Sequence, residues 1–92
     1  MKHAGKETLT KIEPILKYLR QIPGTVERTP GCFYRGSSGF AHFHEDPAGI
    51  FADVKLNGKS FVRLRVSTKR EQTQFLKAVK ESLKVRTFSS RR

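Results

Sequence analysis

Two alternating runs on either side of Asn57-Gly58 constrain the fold of this chain more than any other feature. Ile50, Ala52 and Val54 alternate with Phe51, Asp53 and Lys55, and Val62, Leu64 and Val66 alternate with Phe61, Arg63 and Arg65. A strand turns successive side chains to opposite faces, so each run has one aliphatic face and one aromatic and charged face. Asn-Gly between them signals a hairpin. A strict two-residue loop would set Val54 opposite Phe61 and Ala52 opposite Arg63, mixing the faces, because opposed residues share a side. A loop of odd length with Gly58 in the left-handed region brings the six aliphatic residues together, and a three-residue or bulged turn is expected. A sheet with one aliphatic face then needs a second layer to cover it.

The two ends of the chain supply that layer. Leu9, Ile12, Ile15, Leu16, Leu19 and Ile22 recur at helical spacing and predict a helix over residues 11–21. Thr10 and Glu13 have the spacing of a capping box, Pro14 falls in the opening turn, and Pro23-Gly24 ends the helix. A second capping box, Thr68 and Glu71, opens a last helix with Phe75, Leu76, Val79 and Leu83 inward. Its Lys69, Arg70, Lys77, Lys80, Glu81 and Lys84 face water. Between the helices, residues 26–28, 32–35 and 40–45 read as short strands. Their turns are Thr29-Pro30-Gly31, Gly36-Ser37-Ser38-Gly39 and Asp46-Pro47-Ala48-Gly49. The class is therefore α+β, a two-layer fold. An antiparallel sheet of three to five strands is expected, with an N-terminal and a C-terminal helix packed on one face.

Ninety-two residues fit a single domain, 1–92, with an ordered core at about 9–85 and flexible basic tails at 1–8 and 86–92. Hydrophobic residues are 36% of the chain, and a deep water-free cavity would consume much of so small a core. That weighs against an independent enzyme. The lone Cys32 cannot pair within the chain and suits a reducing compartment. No apolar run opens the sequence and none approaches bilayer length, so a cytoplasmic, bacterial-type protein with no membrane partner is expected. The formal charge is +11, and thirteen Lys and Arg against seven Asp and Glu leave +6 on residues 12–85. Such a surface attracts nucleic acid or another polyanion, more weakly as salt rises.

Phe40-Ala41-His42-Phe43-His44-Glu45-Asp46 is where a site is expected. With period two, His42 and His44 share a face with Phe40, while Ala41 and Phe43 turn to the helices. The uncovered face then carries both imidazoles with Phe51, Asp53, Lys55, Phe61, Arg63 and Arg65. Two His and a carboxylate can hold a divalent metal, and His42, His44 and Asp53 are the candidate ligands. The same imidazoles can instead donate hydrogen bonds to Asp46, Asp53 or backbone and fix the turn. Arg63 and Arg65 are the candidate anion contacts, and Phe51 and Phe61 the exposed aromatic rings on which bases could stack. Cys32 reads as a small buried apolar residue rather than an activated thiolate, and no catalytic set is complete.

Beyond these residue patterns, Ala41-His42-Phe43-His44-Glu45-Asp46, followed by Gly49-Ile50-Phe51-Ala52-Asp53, resembles an uncharacterised bacterial domain family sometimes labelled luciferase-type. Pro23-Gly24-Thr25-Val26-Glu27-Arg28 is similar to the stretch that those domains place before their first strand. The likeness covers residues 22–83 and implies neither light emission nor any established activity. Family members carry a longer insert before the final strand, where this chain has Asn57-Gly58. By element order alone, the chain is also similar to frataxin-like and double-wing DNA-binding domains. Three functional readings follow: a non-catalytic binding or accessory module for a polyanion or protein, a metal-binding protein or metal-dependent enzyme centred on His42 and His44, and a homodimer joined through the open sheet.

Overall fold

The computed structural model describes residues 2–90, and the side chains of residues 2–84. The elements run β1 (Lys2–His3), α1 (Lys6–Lys11), α2 (Glu13–Arg20), β2 (Thr25–Thr29), β3 (Cys32–Arg35), β4 (Ser38–Asp46), β5 (Gly49–Val54), β6 (Val62–Arg65) and α3 (Lys69–Ser90). The sheet is antiparallel and open, in the order β2-β3-β4-β5-β6, and β1 pairs with the far half of β4 beyond the end of β3. This is the expected two-layer α+β architecture. The additions are β1 and α1, which make six strands and three helices among the described residues.

One aliphatic and aromatic core joins the layers. Phe33, Ala41, Phe43, Ala52 and Val54 from the sheet pack with Ile12, Ile15, Leu16 and Leu19 below α2 and with Phe75 and Val79 of α3, all at most 1% exposed. The hairpin has the parity that the alternation demands: Val54 faces Val62, Ala52 faces Leu64, Asp53 faces Arg63 and Phe51 faces Arg65. The connection is odd but longer than three residues, because the strands stop at Val54 and Val62. Leu56 turns inward against the core and its carbonyl accepts a hydrogen bond from the Ser82 hydroxyl of α3. Asn57 Oδ1 accepts from the N–H groups of Lys59 and Ser60, and Gly58 has φ 75°. Val62, at the edge of the sheet, is 41% exposed although its parity is inward.

Several expectations differ from the structure. The N-terminal helix over 11–21 is two helices, α1 and α2, that meet at Ile12. Pro14 has no N–H to give, and its ring crowds the carbonyl four residues back, so helix α1 cannot run through. Thr10 and Glu13 form no capping box: Thr10 donates to the Lys6 carbonyl, and Glu13 accepts from Arg20. The capping box at Thr68 and Glu71 does form, each donating its N–H to the other's side chain at 3.1 and 3.0 Å. Residues 2–8 are structured rather than a tail, because Glu45 fastens them: its carboxylate accepts from the Gly5 N–H at 2.6 Å and the Thr8 hydroxyl at 2.7 Å. At the other end α3 continues to Ser90, past the expected boundary, and Arg91 and Arg92 lie outside the described residues.

A further difference concerns Phe40. It is 2% exposed and in the core, not beside the histidines. Phe33 pairs with Ala41 and Tyr34 with Gly39, so Phe40 is the extra residue of a β-bulge. The bulge reverses parity, and Gly39 takes the outward place below Phe61, where a Cβ would lie 3.3 Å from the Phe61 ring and 3.4 Å from His42.

Candidate metal centre on the open sheet face

The register places the site. His42 on β4 is directly opposite Asp53 on β5, and Asp53 is opposite Arg63 on β6. One step along, His3 of β1, His44, Phe51 and Arg65 form the next row. The alternation that sends Ala41, Phe43, Ala52 and Val54 under the helices therefore brings His42, His44 and Asp53 together on the other side. One donor atom from each lies within 4.8 Å of the other two. The three are half-buried, with His44 and Asp53 side chains 15% and 16% exposed.

Within the cluster, His44 Nε2 lies 3.1 Å from Asp53 Oδ2. The Arg63 fork donates to both oxygens of the same carboxylate, at 2.8 and 2.9 Å. That hydrogen bonding, opposed by partial burial, holds the Asp53 carboxyl below its ordinary range, so it is ionised at neutral pH. His42 is pushed below the usual imidazole value by burial first and by His44 beside it, with Asp53 acting the other way. A neutral imidazole and an ionised carboxylate are the forms that bind a metal. Asp46 takes no part: its side chain accepts the Ala48 N–H and fixes the β4–β5 turn.

Aromatic contacts frame the cluster. The Phe61 ring is 4.8 Å from His42 and 40% exposed, with the Lys55 ammonium 5.0 Å from its centroid. Phe51 is half-buried. The arginines expected to contact anions are each held by a carboxylate: Arg63 by Asp53, and Arg65 by both oxygens of Glu71 at 3.0 and 3.1 Å. Their charge on the open face is thereby compensated.

Two neighbours were not read from the sequence. His3 stacks on His44 with ring centroids 5.1 Å apart. A two-residue strand carries no periodicity, and only the presence of a third histidine in the chain hinted at it. Cys32 is half-buried and stands opposite His42 on β3, not in the core as expected. Phe33 points to the helices, so Cys32 must point away.

The chain matches no protein-family model, no curated protein and no solved structure. No helix among the described residues is long and apolar enough to cross a membrane.

Proposed function

We propose that this protein is a binding module that takes one divalent transition-metal ion, of the zinc or ferrous type, at His42, His44 and Asp53. The grouping of their donor atoms within 4.8 Å on two paired strands carries the reading. In a tetrahedral site with bonds of about 2.0–2.1 Å, donors lie roughly 3.3 Å apart. The 3.1 Å between His44 Nε2 and Asp53 Oδ2 is already close to that spacing. His42 has to draw in by roughly 1.5 Å at most, which a side-chain torsion supplies without moving a strand. Two imidazoles and one carboxylate leave a coordination position for an exogenous ligand. The reading assigns no reaction.

Arg63 competes with the ion, since it occupies both carboxylate oxygens and adds a positive charge beside them. Its side chain is 51% exposed and free to swing into water. Titration calorimetry of tag-free protein with Zn²⁺ should therefore give one ion per chain. His42→Ala and His44→Ala should each weaken binding strongly, and Arg63→Ala should tighten it. Wild-type protein that takes no zinc, or a His42→Ala/His44→Ala double variant that folds and binds as well, ends the proposal.

The relation to the luciferase-type family is likewise a proposal. It rests on the motif that contains His42, His44 and Asp53, and it adds no activity to the metal reading.

A further inference from the structure

Most acids of this chain are engaged by cations other than those on the outer face of α3. Five of the eight carboxylates are in ion pairs: Glu13 and Glu27 with Arg20, Glu45 with Lys2, Asp53 with Arg63, and Glu71 with Arg65. Among the described residues, no carboxylate lies within ion-pair distance of the exposed cations of α3. These are Lys69, Arg70, Lys77, Lys80 and Lys84. At 100° per residue they fall within about 100° of the helix circumference, and they extend along roughly 22 Å of it. Glu81 flanks this stripe on the side away from the core.

Along its other side the stripe borders a groove of about 500 Å³ between α3 and the junction of α1 with α2, lined by Lys11, Pro14, Lys69, Thr73 and Leu76. Gln72 forms its floor, donating to the carbonyls of Lys11 and Val66 at 3.2 and 3.1 Å, so both walls are tied to the sheet. Further along, the Lys80 ammonium rests 5.3 Å above the ring of Tyr18 on α2. No acid lines the groove.

We propose that this cationic groove and stripe bind the phosphate backbone of a single nucleic-acid strand. The site is separate from the His42–His44–Asp53 cluster, on the opposite face of the molecule, and is independent of the metal reading. A concave, acid-free channel bordered by a row of unpaired cations suits a strand whose charges repeat along a line. An anionic bilayer would be bound by a flat basic face with large apolar residues beside it. Among the described residues, the exposed large apolar ones, Val26, Phe61 and Val62, are all in or next to strands of the sheet.

The test is fluorescence anisotropy with a labelled single-stranded RNA of about 15 nucleotides, using the full chain without a tag. Four or five phosphate contacts predict a slope of log K against log salt of about −3. Lys77→Glu/Lys80→Glu should weaken binding roughly tenfold or more and make the slope shallower by about 1.4. Arg28→Glu/Lys59→Glu makes the same change in net charge on the sheet side and should stay within about threefold of wild type. Chelator should change neither result, which separates this outcome from that of the metal test. Equal losses in both double variants would show that net charge alone is at work and would overturn the proposal. So would binding to anionic vesicles, weakened by the helix pair, without binding to RNA.

Discussion

On the open face of the sheet, each arginine of β6 has its carboxylate: Arg63 holds Asp53 and Arg65 holds Glu71. On the outer face of α3, Lys69, Lys77, Lys80 and Lys84 have no such partner among the described residues. Strand register explains the first pair, since Asp53 stands opposite Arg63, whereas Arg65 stands opposite Phe51 and reaches across to Glu71 in the first turn of α3. Opposed residues on one face are forced within reach of each other, and a like-charged pair there is destabilising, so acids accompany bases. On a helix, like charges three or four residues apart also repel, but in water the cost is only about 0.2–0.5 kcal/mol per pair, so a row of one sign is tolerated. The β6 arginines are thus compensated beside a chemically specific cluster, whereas the cations of α3 are uncompensated and generic. A high net charge says little about which face is used; the placement of the acids says more.

The sharpest way to break that comparison is on β4, where neighbours face opposite layers. Phe43 is 1% exposed and packs its ring against Phe33 and Phe75, at centroid distances of 6.5 and 6.0 Å. Phe43→Ala should cost about 3–5 kcal/mol, a large part of the stability of a domain this size. His44→Ala, one position along, should cost no more than about 1 kcal/mol. Urea unfolding of both decides it: comparable losses would mean that the imidazole face is as structural as the core.

Next in size is the joint between the two layers, at Gly49. It has φ 139°, and an added Cβ would lie 2.5 Å from Ser67 Oγ and 2.7 Å from Arg65 Nε. Ser67 Oγ accepts the Ile50 N–H, and Arg65 reaches Glu71 in the first turn of α3, so the glycine lies where sheet and helix are tied. Gly49→Ala should cost about 2 kcal/mol or more. Gly36→Ala, at φ 66° with open space around it, should cost only about 1 kcal/mol from backbone strain. Equal thermal shifts for the two would remove the steric part of this account.

Smaller still is the contrast between two sequences that read alike. Thr68 caps α3 through the Glu71 N–H, while Thr10 only donates to the Lys6 carbonyl within α1. Thr68→Ala should cost about 1 kcal/mol and Thr10→Ala less than about 0.5 kcal/mol in denaturant unfolding. A Thr10 variant as damaging as the Thr68 one would restore the capping box that the structure lacks.

Why these two boxes part company shows what the sequence can and cannot specify. Alternation and helical spacing are local, so the strands from β2 to β6, the buried stripe from Ile12 to Leu19 and the outward placement of His42, His44 and Asp53 were all legible. The same odd-loop register also puts Asp53 opposite Arg63, so the pairing that compensates Arg63 was implicit there. Phe40 was not legible, because one extra residue in a bulge reverses parity and only Gly39 beside it marks the place. The ordered N-terminus was not legible either. Glu45 reaches Gly5 across forty positions, and a contact of that range leaves no periodic trace. Pro14 was visible throughout, but whether it opens one helix or separates two depends on where Ile12 and Glu45 anchor the chain.

The smallest effect concerns protons on the open face. His42 has a pKa depressed by burial and by His44, against Asp53, with His3 and Lys55 adding repulsion. A histidine depressed in the folded state binds fewer protons there than in the unfolded chain, so stability rises with pH across its titration. The contribution is neutral above the unfolded value of about 6.5, and the penalty grows as pH falls from there towards the folded value. Asp53 is depressed too, but by the Arg63 hydrogen bonds first, and its stabilisation is lost only as pH falls through a range below the usual carboxylate value. Unfolding measured between pH 7.5 and 5.5, spanning the ordinary imidazole value of about 6.5, should therefore show declining stability that His42→Gln flattens and Asp53→Asn does not. A wild-type profile that is level across that window, or that rises towards acid, would mean that His42 is better hydrated than its place between His44 and Phe61 implies.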